Sequence, residues 1–323
     1  MSDPEPWAFP AALQPKSEDV RFELKSALDA VVMLRAEIPE EAFTASFLGT
    51  ERVGSGIALD GGVVLTIGYL ITEAEAIWLT ANDGSVVPAH TLAYDFQTGF
   101  GLVQPLSELR TPVLPRGSAA GLRRGDDVIV IGHGGRAHAL KAKILDKREF
   151  AGYWEYVLDE ALFTVPAHPE WGGTALVDME GRLVGVGSLL VQEETEREAV
   201  KGNMMVPVDL LDPILDDLMR RGRRSGLPRP WLGLYATEAE GEILVTGLAR
   251  HGPADSAGVE LGDTVSAVAS HKVTDLADMY RKVWRLGPAG TAIPMTVNRA
   301  GRSLQVRIES IDRSSIMHRP SLQ

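Results

Sequence analysis

The stretch HPEWGGTALVDMEGRLVGVGSLL, residues 168–190, decides how this chain is read. Two runs rich in Leu and Val, TALVD and RLVGVGSLL, flank the short polar stretch MEGR. Short β-rich runs bounded by a glycine-bearing turn read as paired strands. The segment ahead of them, HPEWGG, combines a proline with two adjacent glycines and reads as a loop.

The same grammar extends outward on both sides. Upstream, SGIAL, GVVLTI, EAIWLT, DDVIVIG and YWEYVL are further β-rich runs, and LDGG and NDGS are further turns. Many short strands at close spacing predict a sandwich or barrel over residues 21–218. Long amphipathic helices do not alternate with them, which disfavours a parallel α/β sheet. Downstream, VDLLDPILDDLMRR sets Leu210, Leu211, Ile214, Leu215 and Leu218 at helical spacing, with arginines in the last turn to suit the helix dipole. Residues 219–230, containing RRGRRSGLPR, read as a linker, more naturally a solvated hinge than a nucleic-acid site. Residues 231–312 mix strands such as EILVTGLA and LQVRIES with one helix, DLADMYRKVWRL, and read as a small α+β module. Residues 1–20, with four prolines, read as an extended arm, and 313–323 as a tail.

Composition narrows the function classes. The chain has 323 residues, enough for about two domains. Its net charge is -12, from 44 acids against 32 bases, which repels a phosphate backbone in general and argues against a nucleic-acid partner. The absence of cysteine removes disulfides, thiolate metal sites and a cysteine nucleophile. No stretch of about eighteen apolar residues suggests a membrane span, and the N-terminus lacks the pattern of a secretory signal, so the expected location is cytoplasmic. Neither a cofactor motif nor a metal-ligand spacing stands out.

Taken in order, these segments resemble the HtrA/Deg family, a trypsin-like double β-barrel followed by a PDZ domain, over roughly residues 31–310. VGSGIALDGGVVLTIGYLI resembles the family's G-S-G strand, D-x-x-G turn and V-T-N-N-H-V-V segment, and it puts Tyr69 on the histidine. The DFQTGFGLVQ stretch resembles D-x-x-T-D-L-A-L-L, and Gly99 falls on the aspartate. GLRRGDDVIVIGHGG matches L-x-x-G-D-x-V-x-A-I-G-N-P-x-G. The opening stretch resembles N-P-G-N-S-G-G-P-L-V-N with its following turn, and it puts Gly172 on the serine, Trp171 on the asparagine and Glu170 on the preceding glycine. GNMMVPVDLLDPILDDL and RPWLGL match the passage from barrel to PDZ domain, and ARHGPADSAGVELGDTVSAV matches the PDZ run P-A-x-x-A-G-x-x-x-G-D-x-I.

The resemblance implies a protease whose chemistry is missing. A nucleophile needs an oxygen activated by a base, and glycine has none. A base needs a pKa near working pH, whereas tyrosine ordinarily holds its proton to about 10. Gly99 has no group to orient and stabilise an imidazolium. Glu170 is expected to hold a glycine-like backbone at about 1–3 kcal/mol of strain and to set a negative charge beside the oxyanion position. The expectation is a pseudoprotease, with Tyr69 and Trp171 plugging the vacated cleft. The competing expectation is an active endopeptidase with a rearranged site, built from Thr174 with His133 or His168 and with Asp95 or Glu170. Ser55 reads as an ordinary strand or turn residue.

The PDZ resemblance implies capture of peptide or protein C-termini by strand addition. Trp231, Leu232, Gly233 and Leu234 would form the carboxylate loop and following strand, and Met279 and Val283 the side-chain pocket. Family membership further implies a homotrimer, to which Trp7, Phe9 and Phe22 would contribute, or assembly with an active paralogue.

Overall fold

The first six strands are β1 (Val31–Glu37), β2 (Glu51–Leu59), β3 (Val63–Ile67), β4 (Ala76–Thr80), β5 (Val86–Tyr94) and β6 (Phe100–Pro105); burial alternates along β4 and much of β1 and β5, whereas β3 is buried throughout. β1 buries Val32, Leu34 and Ala36 and exposes Arg35 and Glu37, and β4 likewise buries Ile77 and Leu79. Register places Leu34 opposite Leu79 and Ala36 opposite Ile77, so the apolar rows of β1 and β4 face one interior. The sheet closes in the order β1-β2-β3-β6-β5-β4. Each fully buried Leu or Ile here contributes about 1.5–3 kcal/mol. The structure, a computed structural model, describes residues 7–194 and 199–318. The first six residues of the expected arm and the last five of the expected tail lie outside the described residues.

A second closed barrel follows, from β7 (Asp127–Ile131), β8 (Ala139–Gly152), β9 (Tyr156–Val165), β10 (Ala175–Val177), β11 (Leu183–Glu194) and β12 (Ala199–Pro207), in the order β10-β11-β12-β9-β8-β7. Val128, Val130, Leu140, Leu162, Leu176, Val184 and Met205 fill it. The strand–turn–strand reading of TALVDMEGRLVGVGSLL holds as β10 and β11. Asp178 fastens its turn, accepting from the amides of Glu180 (3.1 Å) and Arg182 (2.9 Å) and from the Arg182 guanidinium. Beyond β12, the helix expected from the Leu210–Leu218 spacing is interrupted. A 3-10 turn (Val208–Leu210) comes first, and the α-helix begins only at Leu215 and runs to Arg221. Pro213 between them lacks the N–H that a continuous helix needs.

Two compact units result, one of residues 1–148, 160–224 and 318–323, the other of residues 149–159 and 225–317. The second unit therefore includes the tip of the β8–β9 hairpin, which sequence reading places wholly in the barrel. It also takes up residues 313–317, read as tail. Its sheet runs β13-β14-β15-β17-β18, with β13 (Leu234–Ala239), β14 (Glu242–Leu248), β15 (Thr264–Val268), β17 (Ala292–Arg299) and β18 (Arg302–Glu309), and the short β16 (His271–Lys272) pairs with β15. A helix (Leu276–Arg285) packs Leu276, Met279, Tyr280 and Val283 onto it. Its N-cap, Asp275, accepts from the Asp278 amide at 2.7 Å.

Candidate functional site

β3 delivers Tyr69 into a 3-10 turn (Gly68–Leu70) in the first barrel. Buried Arg52 holds that turn from behind, donating to the carbonyls of Tyr69 (2.7 Å) and Thr72 (3.0 Å) and to the Thr44 hydroxyl (2.7 Å). Gly99 lies beside it, its carbonyl accepting from the Gly68 amide at 2.7 Å. At φ +83, Gly99 has a backbone that an aspartate would adopt only under strain. From the second barrel the loop of residues 168–174 meets both. A Cβ at position 172 would lie 2.9 Å from the Tyr69 hydroxyl oxygen, so the tyrosine occupies the space where a side chain at 172 would start. That hydroxyl donates to the Ser188 carbonyl at 2.9 Å. Burial makes its proton still harder to remove, and a bond to the Trp171 side chain opposes this only in part. The structure thus brings Tyr69, Gly99 and Gly172 together.

Glu170 behaves differently from expectation. It is not among the residues with positive φ, so the left-handed strain expected there does not arise. Its amide instead turns inward and donates to His168 Nδ1 at 3.1 Å. Its carboxylate accepts from the Trp7 indole at 2.8 Å. Trp7 also packs on His138 (4.3 Å between centroids) and His168 (5.4 Å), and Phe9 on His168 (5.1 Å). These two aromatics, expected at a subunit contact, bind the chain's own loop, and Phe22 lies against Gly181.

The relocated nucleophile expected from sequence is not assembled. Thr174 is fully buried and donates to the Trp171 carbonyl at 3.0 Å. His168 has no exposed surface, and Asn203 brackets its main chain at 2.6 and 3.2 Å. Its Nε2 donates to the His138 carbonyl at 3.0 Å, which fixes the neutral tautomer, and burial drives its pKa down to about 4. Asp95 is engaged by the Thr98 amide (3.0 Å) and hydroxyl (2.7 Å) and by Arg224 (3.2 Å).

A different pair stands in contact. The Ser55 hydroxyl lies 3.2 Å from His133 Nδ1 and accepts from the His133 amide at 3.1 Å. His133 Nε2 faces Glu170 Oε2 at 3.8 Å. Burial lowers the His133 pKa, with Glu170 opposing. Ser55 is fully buried in β2, its amide donating to the Gly172 carbonyl at 2.8 Å. No group of three or more potential ligands with metal-holding geometry occurs among the described residues.

In the second unit the WLGL segment forms a tight loop. Gly233 sits at φ +68, and a Cβ there would come within 2.9 Å of Ala249 Cβ. The successive amides of Leu232, Gly233 and Leu234 point to a single spot. Trp231, Leu232, Leu234, Met279 and Val283 are all buried.

The sequence matches the trypsin-like peptidase domain over residues 54–186 and the PDZ domain over residues 230–309. It is 23% identical over 268 residues to serine endoprotease DegS of Haemophilus influenzae, covering 81% of this chain and 77% of that protein. It is 25% identical over 278 residues to serine endoprotease DegS of Escherichia coli, covering the same shares, 81% and 77%. Among solved structures, the HtrA-type protease AlgW with decapeptide aligns with a TM-score of 0.54 at 20% identity, covering 90% of this chain and 97% of that one. The serine endoprotease from Yersinia pestis aligns at 0.51 and 22%, covering 91% and 99%. The chain carries a trypsin-like peptidase domain followed by a PDZ domain and is similar over most of its length to serine endoproteases of the DegS type.

Against these two matched domains, three features escape sequence reading. Ser55 reads as ordinary because a lone serine in a strand carries no sign of its partner 78 residues away. Arg52 resembles any strand cation. Glu155, in the aromatic run GYWEYV, gives one signal, an acid set among rings, but nothing in the sequence connects it with Gly233.

Proposed function

We propose that this chain is a non-catalytic HtrA/Deg protein that captures peptides or protein C-termini through its PDZ domain and acts as a scaffold, regulator or quality-control factor. Tyr69, Gly99 and Gly172 are the degenerate triad positions, and Glu170 is the degenerate oxyanion position. One observation carries the reading. The Tyr69 hydroxyl fills the space of a side chain at 172 and donates its proton to the Ser188 carbonyl. A phenol so engaged neither attacks a carbonyl nor takes a proton from a neighbour. Trp231, Leu232, Gly233 and Leu234 supply the carboxylate loop and strand, and Met279 and Val283 back the pocket from the helix. The assembly that fits is a homotrimer or a complex with an active paralogue.

A second reading rests on the Ser55–His133–Glu170 arrangement, which has the residue types of a hydrolase triad. Two facts weigh against it. Ser55 has no exposed surface, so no carbonyl carbon reaches its oxygen. The His133–Glu170 distance of 3.8 Å is beyond an orienting hydrogen bond.

Incubating the full chain with unfolded casein and, separately, with a fluorophosphonate probe tests both readings. The expected result is no casein loss and no labelled serine. Casein turnover that disappears in Ser55→Ala or His133→Ala would replace the first reading with the second.

A further inference from the structure

The carboxylate loop already holds a carboxylate, and it comes from the same chain. Glu155 Oε1 accepts from the amides of Gly233 (2.7 Å), Leu232 (3.0 Å) and Leu234 (3.2 Å), and Oε2 accepts from Leu232 (3.0 Å). Three successive amides converging on one carboxylate form the anion cradle that a PDZ domain offers to a chain terminus.

The residues around Glu155 occupy the rest of the groove. β13 is an edge strand, paired on one side with β14, and the Ala236 amide within it donates to the Tyr153 carbonyl at 3.2 Å. That bond to the hairpin tip is of the kind an added strand makes along an open sheet edge. Val157 lies in the core of this unit, and Ala151 packs against it. Arg281, on the helix that forms the other wall, pairs with Glu149 at 2.5 Å and with Asp159, and so holds both ends of the tip. Arg313 donates to the Trp154 carbonyl at 3.5 Å. Glu155 itself stands at φ +63 and is buried. A non-glycine residue in that region is strained and keeps that backbone only where its contacts enforce it.

We infer that Glu149–Asp159 is an intrachain ligand of the PDZ site: the Glu155 carboxylate stands where the C-terminal carboxylate of a captured peptide goes, and a peptide binds only by displacing it. The inference rests on the reading above that this domain captures C-termini. The tip is tethered at both ends, by β8 and β9, so its local concentration is on the order of millimolar or higher. The apparent affinity for a free peptide falls by the fraction of time the loop is vacant. Peptide arrival then releases a hairpin that continues directly into two barrel strands.

The test uses the full chain and pools of synthetic decapeptides ending in Val, Leu, Ile or Phe, as free acids and as C-terminal amides. Fluorescence anisotropy reads binding, and hydrogen exchange reads the amides of Leu232, Gly233 and Leu234. Glu155→Ala is expected to bind the free-acid pool at least about tenfold more tightly than the unaltered chain. It should leave the amidated pool weak and speed exchange at the three amides. Arg281→Gln loosens the tip without touching the cradle. It is expected to give a smaller gain in the same direction, and it keeps the test open if Glu155→Ala does not fold. Equal free-acid affinity in the unaltered chain and both folded variants overturns the inference and leaves peptide capture standing. No binding by any of the three, with the loop amides of Glu155→Ala exchanging fast, removes peptide capture and the inference with it.

Discussion

In the barrel cleft, a tyrosine hydroxyl lies against Gly172 and donates to the Ser188 carbonyl, whereas in the second unit a glutamate carboxylate lies against the amides of residues 232–234. Both sites are filled by the chain's own side chains, but the fillings differ in kind. Tyr69 is half-buried on a turn anchored by buried Arg52, with its hydroxyl held between Gly172 and the Ser188 carbonyl. Glu155 sits at a hairpin tip, near Tyr153, which is 54% exposed, in a strained backbone. Its group is chemically the same as that of the ligand it would give way to. The first filling is a side chain on an anchored turn, and the second is a ligand-like group on a tether.

Acid should strain the cleft side of this comparison most. The His168 pKa falls from 6.5 to about 4 on folding, so its contribution is complete above pH 6.5 and is lost as pH falls toward 4. The groups facing it are Glu170, His138 and His133. The expected loss is on the order of 3 kcal/mol, seen as a drop in the urea midpoint of the barrel unit, and His168→Gln should flatten the profile.

Gly172→Ser probes the packed filling directly. Its Cβ would meet the Tyr69 hydroxyl at 2.9 Å, so a destabilisation of about 1–3 kcal/mol is expected. Adding Tyr69→Phe, which deletes that hydroxyl, should recover part of it. Additive effects in this double-mutant cycle would mean that the two residues are not in contact.

For the tethered filling the pH dependence runs the other way. Burial raises the Glu155 pKa from 4.5 to about 7, against the pull of the Leu232, Leu234 and Gly233 amides and of Arg313. A raised carboxyl stabilises the docked state fully below pH 4.5, and that contribution is lost as pH rises through about 7. Tyr235 and Tyr280, whose protons burial holds more tightly, stay neutral over this window. Without peptide, protection of the Leu232, Gly233 and Leu234 amides, corrected for the intrinsic pH dependence of exchange, is therefore expected to fall as pH rises from 4.5 to about 7, by at most about tenfold per pH unit, and Glu155→Gln should remove the slope.

Much of the fold was legible because strand periodicity and turn chemistry are local. The β10–β11 hairpin follows from TALVD, MEGR and RLVGVGSLL alone. The helix Leu276–Arg285 follows from the apolar spacing of DLADMYRKVWRL. Where local signals compete, sequence reading loses its footing. The Leu210–Leu218 spacing suggests one helix, but Pro213 prevents it. The candidate site was legible only as a set of absences, with no hydroxyl at 172, no imidazole at 69 and no carboxylate at 99.

The sequence by itself determined which side chains are available, and so excluded the reactive groups from those three positions. It did not determine what fills the space they leave. Tyr69 against Gly172, Ser55 against His133 and Glu155 in the 232–234 cradle each join residues 77 or more positions apart in the chain. Such contacts depend on barrel closure and loop direction, which arise from the packing of the whole unit and leave no periodic trace in either partner's neighbourhood. The same cause hid the backbone facts. Glu155 stands at positive φ and Glu170 does not, although both are glutamates.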